Sequence, residues 1–131
     1  MSSYVFSVTS PKDYESTVPM VTEALKQEGF GVLTTIDVAA TLKAKLGLER
    51  KPYIILGACN PNFAHQAMEA EPDIGALLPC NVVVRTEPDD TVSVVFMDPV
   101  SVLGMVNHPG VDKVGHEVRE KLMRVAEAVR G

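Results

Sequence analysis

What the sequence has little of narrows the classes of protein it can encode. It contains only two cysteines, Cys59 and Cys80, which are too few for a small disulfide-held scaffold, and we expect both to be reduced. No apolar run approaches the roughly 18 residues that a membrane span needs. The first residues also lack the basic and apolar regions of a secretory leader. These absences predict a cytoplasmic protein with no membrane partner.

Basic residues and catalytic signatures are scarce as well. Lys and Arg number 12 against 17 Asp and Glu, so the net charge is -5. Repulsion of this sign disfavours nucleic acid as a partner. The patterns G-x-G-x-x-G, P-loop, H-E-x-x-H and G-x-S-x-G do not occur, so no motif supports nucleotide binding, phosphoryl transfer, zinc proteolysis or serine hydrolysis. No cofactor is indicated.

The residues that are present describe an ordinary globular domain. Hydrophobic residues make up 46% of the 131 positions and charged residues 22%. A chain of this size can bury roughly two-thirds of its unfolded surface. No linker, repeat or low-complexity tract divides it, so we expect a single domain over residues 1–131.

Hydrophobic periodicity predicts the element order β-α-β-α-β-α-β-β-α. Strands are expected at 4–9, 31–36, 52–58, 79–85 and 91–97, and the third, being the most apolar, is placed at the centre of the sheet. Turn-forming residues between the last two strands favour an antiparallel hairpin. The hairpin breaks the regular alternation of a doubly wound fold. The prediction is therefore an α+β two-layer sandwich, with a mixed, largely antiparallel sheet and helices on one face.

The helix boundaries rest on capping residues. Ser10 is expected to cap the first helix, although Pro19 within it predicts a kink or a later start at Ser16. Asn60 followed by Pro61 begins a helix over 61–71. An apolar stripe at helical spacing predicts a last helix over 111–129.

The two cysteines mark the ends of one strand-helix-strand segment. Cys59 follows the apolar strand and precedes a helix, whose dipole would favour the thiolate, although cysteine is also a common core residue. If the strands that end at Cys59 and begin at Cys80 are parallel, the thiols lie at opposite edges, roughly 15 Å or more apart. If they are antiparallel, the thiols reach one edge, where a disulfide, a shared metal or a thiol pair is possible. The spacing does not decide between these alternatives.

Other polar residues complete the candidate site. His65 lies four residues before Glu69 and is either half of a solvated pair or a base or metal ligand beside Cys59. Asp98 either caps a turn or supplies a carboxylate to a cleft. The candidate catalytic residues are thus Cys59, Cys80 and His65, and the candidate ligand-binding residues are Cys59, Asn60, Cys80 and Asp98. No metal site is predicted, the alternative being one formed by Cys59, Cys80 and His65.

Residues 57–85, GACNPNFAHQAMEAEPDIGALLPCNVVVR, resemble the domain of unknown function 302 family. The flanking segments GFGVLTTIDVAATLKAKLG and FMDPV fit it too, so the resemblance covers nearly the whole chain. It implies a compact α/β domain that forms homodimers. It implies no activity, so no catalytic residue is carried over. This chain has the cysteine-containing form of the pattern, with Cys59 in A-C-N-P and Cys80 in L-P-C-N-V.

Three functional hypotheses remain open from the sequence. The first is a homodimeric module for small-ligand binding or assembly, with a cleft near residues 58–61. The second is a thiol-dependent enzyme or redox protein that uses Cys59 and Cys80. The third is a metal-binding protein with cysteine and histidine ligands.

Overall fold

Five strands form one antiparallel sheet in the computed structural model, which describes residues 3–131. The strands are β1 (Val5–Ser10), β2 (Gly31–Asp37), β3 (Tyr53–Cys59), β4 (Cys80–Thr86) and β5 (Val92–Met97). Their order in the sheet is β1-β5-β4-β3-β2. All four pairings are antiparallel, so the expected mixed sheet contains no parallel pair in the described part of the chain. The predicted β4-β5 hairpin is confirmed, and β4 rather than β3 occupies the centre.

The helices cover one face of this sheet, as the predicted sandwich requires. They are α1 (Tyr14–Gln27), α2 (Val38–Leu46), α3 (Pro61–Ala70), α4 (Pro99–Gly104) and α5 (Pro109–Arg130), with a short 3-10 helix over Pro72–Leu77. The long helix α5 contacts α1, α3, α4 and β1. Within residues 3–131, none of the helices is long and apolar enough to cross a membrane.

The first helix begins later than its sequence suggests. Asp13, not Ser10, caps α1, since its carboxylate accepts a hydrogen bond of 2.8 Å from the backbone N–H of Ser16. Ser10 is still part of β1, where it pairs with Val92 of β5. Its hydroxyl lies 2.7 Å from the buried hydroxyl of Thr17. The helix then continues through Pro19. The predicted cap at Ser10 and the predicted start at Ser16 are therefore both wrong.

The core lies between the inner face of the sheet and the helices. Val82, Val84, Val94 and Phe96 are fully buried on β4 and β5, two of the three inner strands. Leu122 of α5 packs in the same cluster. The predicted apolar stripe of the last helix is confirmed, because each of its members is buried: Val111, Val114, Val118, Leu122, Val125 and Val129.

The opposite face of the sheet, here called the outer face, carries a line of aliphatic residues among polar ones such as Thr34 and Asn81. Strand pairing aligns Ile36, Ile55, Val83 and Val95 directly across β2, β3, β4 and β5, and Ser7 on β1 ends the line. We call these four aliphatic residues the outer row. Antiparallel sheets with one open face usually alternate apolar and polar residues so that the open face is polar. The apolar outer row explains why β3 is apolar on both faces without lying at the centre.

Two irregularities shape the outer face near β2. The register of β2 against β3 shifts between Val32 and Thr34, so Leu33 has no partner and forms a bulge. The next pair joins Thr34 to Gly57. A Cβ at Gly57 would lie 2.8 Å from Cγ of Pro79 and closer still to the hydroxyl of Thr34. Only glycine fits at position 57.

The substitution Gly57→Ala should therefore destabilise the fold. We expect a loss of about 1 to 3 kcal/mol, the usual cost of forcing an extra carbon into a packed site, measured from the urea midpoint. Gly31→Ala is the matched control, because a Cβ there meets no atom within 4 Å. Equal stability of the two variants would contradict the steric argument.

Candidate functional site

The pairing of β3 with β4 answers the question of strand direction raised by the two cysteines. The strands are antiparallel, with Ala58 opposite Cys80, so both cysteines lie at one edge of the sheet. Neighbouring residues of a strand point to opposite faces, however, and Cys80 shares a face with Ala58 rather than with Cys59. Both thiols are free and do not lie close together. The expectation of a cysteine pair is therefore wrong.

A small cavity lies at this edge, between the end of β3 and the helices α3 and α5. Its volume is about 30 Å³. Cys59, Asn60 and Cys80, three of the candidate ligand-binding residues, line it. The remaining lining is apolar and includes Phe63 and Val118. The cavity admits a water-sized molecule, whereas ligand sites usually enclose about 300 to 1,000 Å³.

The environment of the two thiols opposes thiolate formation. Burial raises the pKa of the Cys59 thiol. Burial, with a further contribution from the charge of Cys59, raises the pKa of Cys80 to about 12. The N-terminus of α3 was expected to stabilise a Cys59 thiolate. This effect is weakened because Pro61, the first residue of α3, has no backbone N–H that could donate a hydrogen bond. Both thiols are thus protonated near pH 7, contrary to what a nucleophile needs.

His65 lies away from the thiols' cavity, on the exposed side of α3. Its Nε2 is 3.8 Å from Oε1 of Glu69, and the two side chains are 73% and 75% exposed. His65 and Glu69 thus form the solvated pair that was one of the two alternatives from the sequence. In residues 3–131 no group of three or more His, Cys, Asp or Glu side chains could hold a metal ion. The alternative metal site of Cys59, Cys80 and His65 is therefore not assembled.

Asp98 stabilises the fold and does not line the cavity. One oxygen of its carboxylate accepts a hydrogen bond of 2.9 Å from the backbone N–H of Val100 and so caps α4. The other oxygen lies 3.1 Å from Nε of Arg119, whose guanidinium lies 5.7 Å from the ring centre of Phe6. Asp98 is not among the residues that line the cavity. Of the four candidate ligand residues, the structure brings together three.

A larger concave surface lies on the outer face of the sheet, where sequence reasoning placed no site. It encloses about 470 Å³ beside Val83 and Val95 of the outer row, with Tyr4 and Tyr53 also lining it. Arg85 is the charged residue of this lining. Alternation along β4 places Val83 and Arg85 on one face, but the row across four strands depends on a register that the sequence of one strand does not contain.

The charge of Arg85 is already balanced within the chain. Its Nε and Nη2 each donate a 3.0 Å hydrogen bond to the carboxylate of Glu87. Ser93 donates a further bond of 2.8 Å to the same carboxylate. These hydrogen bonds lower the pKa of Glu87. The outer face thus carries, beside the aliphatic outer row, one internally satisfied ion pair.

Alkylation of the native protein should show two slow thiols. Because burial raises both pKa values, we expect iodoacetamide to modify Cys59 first, with a midpoint above the ordinary thiol pKa of about 8.5. Cys80 should stay unmodified until the pH approaches about 12 or the protein unfolds. Mass spectrometry of each cysteine peptide across a pH series, with urea-unfolded protein as control, measures both. Rapid modification of either thiol at neutral pH would contradict this prediction.

Comparison with known proteins agrees with the resemblance seen in the sequence. Residues 6–129 match the family described as "Domain of unknown function DUF302". No curated protein matches the chain. The crystal structure of an uncharacterized conserved protein DUF302 from Bacillus stearothermophilus is similar to it, with a TM-score of 0.91 and 30% sequence identity over 98% of this chain and 100% of that one. With the sequence pattern and the fold in agreement, this chain belongs to the DUF302 family.

Proposed function

We propose that this protein is a homodimeric assembly module of one domain, whose two copies pack through the outer faces of their sheets. The outer row carries the proposal. Ile36, Ile55, Val83 and Val95 form one aliphatic line across four strands, on the face that the helices leave uncovered. Contiguous apolar surface of this kind is typical of an interface.

The size of the outer face suits a stable dimer. Five strands about 4.8 Å apart, each about six residues long at 3.3 Å per residue, span roughly 24 by 20 Å. Side-chain relief raises the accessible area above this flat value, towards the roughly 800 Å² that each partner buries in a standard interface. An interface of that area must use the whole outer face. A second sheet can cover the whole face, whereas a small ligand cannot.

The ion pair of the outer face does not oppose this packing. A buried charge is costly when it has lost its partner. Arg85 and Glu87 already pair within one chain, and Ser93 completes the set. A two-fold interface brings the same surface of both copies together, so it covers two such pairs without leaving a charge unpaired.

The other hypotheses from the sequence have less support. The cavity beside Cys59 holds about 30 Å³, so it does not support a metabolite site. The raised pKa values of Cys59 and Cys80 do not favour thiol chemistry. The two unbonded cysteines and the net charge of -5 support our proposals of a cytoplasmic location and of no nucleic-acid partner.

Sedimentation velocity at micromolar concentration tests the dimer. The unmodified protein should sediment as a dimer, and Val95→Glu should raise the dissociation constant at least about a hundredfold, since it buries an unpaired charge in each copy. Met105→Glu is the control, because Met105 is 70% exposed and does not lie on the sheet. Circular dichroism establishes that both variants are folded. A monomeric unmodified protein, or a dimer unaffected by Val95→Glu, would reject the proposed interface.

A further inference from the structure

The segment 38–52, which joins β2 to β3, is poorly packed against its own chain. It contains the nine-residue helix α2, in which no residue is buried. Isolated helices shorter than about 12 to 15 residues are marginal in water, so helices in proteins depend on packing of an apolar face. The packing that α2 receives within one copy comes mainly from β3. Val38 and Leu42 are half-buried by this packing, whereas the end of the apolar side, at Leu46, lacks a cover.

That apolar side is well formed. Val38, Leu42 and Leu46 recur every four residues and lie on one side of α2. Leu46 is 64% exposed, and Leu48, just beyond the helix, is 52% exposed. Ile36 of the outer row lies two residues before α2 and is 49% exposed. Exposed apolar side chains thus extend from the end of β2 to just beyond α2.

The charge of the segment is opposite to that of the rest of the protein. It holds four cations, Lys43, Lys45, Arg50 and Lys51, and one acid, Glu49. The segment therefore carries +3, and because the whole chain carries -5, the other residues together carry -8. Such a difference favours contact between this segment and the body of a second copy.

Part of this positive charge has no counterion in its own copy. Lys43 pairs with Glu49 at 3.2 Å, and Lys51 pairs with Asp90. Lys45 takes part in none of the ion pairs formed by residues 3–131, and neither does Arg50, which lies over the ring of Tyr53 at 4.9 Å. Two cations therefore remain available to carboxylates of a partner.

We propose that the segment 38–52 is a docking arm that packs against the second copy of the chain, burying Leu46 and Leu48 and placing Lys45 and Arg50 near acidic residues of that copy. The inference rests on the proposed homodimer and adds a second element to its interface. By two-fold symmetry each copy gives one arm and receives one. The arm supplies charge attraction, while the outer row supplies apolar area.

Paired substitutions test the apolar part of the arm. In the full chain, L46Q/L48Q should raise the dimer dissociation constant at least about tenfold, because two leucines lose their buried contacts in each copy. The matched control is M68Q/M105Q, whose side chains are 44% and 70% exposed outside the arm, with an expected change below about twofold. Sedimentation equilibrium of both proteins measures the constants.

Two measurements on the unmodified protein complete the test. Hydrogen exchange of the α2 amides should be at least about tenfold slower above the dimer dissociation constant than below it. The dissociation constant should also rise with salt. If the protein is dimeric but L46Q/L48Q matches its control, or α2 exchanges alike in monomer and dimer, the docking arm is wrong and the outer-face dimer stands. A monomeric unmodified protein overturns both proposals.

Discussion

The antiparallel register of β3, β4 and β5 is the constraint on which the rest of the structure depends. Leu56 lies opposite Val82, and Val82 lies opposite Phe96, so one line of buried side chains forms the floor of the core on which the helices pack. The same register aligns the alternate residues on the other side into the outer row. Because side chains alternate with a period of two, a buried inner face and an aliphatic outer face are two results of one pairing. The fold and the proposed interface therefore cannot be changed independently.

Cys59 and Cys80 show how this register also decides chemistry. Antiparallel pairing brings the two cysteines to one edge, but alternation places Cys80 in the core, where burial raises its pKa to about 12. The residues that line the cavity at this edge leave room for no more than a water-sized molecule. Asp98, two strands away, uses its carboxylate to cap α4 and to pair with Arg119. The polar residues that first suggested a reactive site are thus satisfied or neutral in the folded chain.

Local signals in the sequence predicted the local structure well. The stripe of α5 and the Asn60-Pro61 start of α3 depend only on residues near one another, and both are confirmed. The start of α1 was missed because Ser10 and Asp13 are both good capping residues, and the choice depends on a long-range pairing of Ser10 with Val92. Strand order was missed for the same reason. The sequence singled out positions 59, 60 and 80 by their chemistry, and all three line the cavity, whereas distant lining residues such as Leu103 carry no such signal.

The bulge at Leu33 decides which side chains β2 presents beyond it. Before the bulge Val32 faces Ala58, and after it Ile36 faces Ile55. If β2 kept its length and lost the bulge, Leu33 would pair with Gly57, Thr35 would come opposite Ile55, and Ile36 would turn towards the helices. A deletion at position 33 would instead bring Thr34 directly after Val32 and leave Ile36 opposite Ile55. The edge of the outer row therefore tolerates the loss of this residue but not its incorporation into the regular pairing.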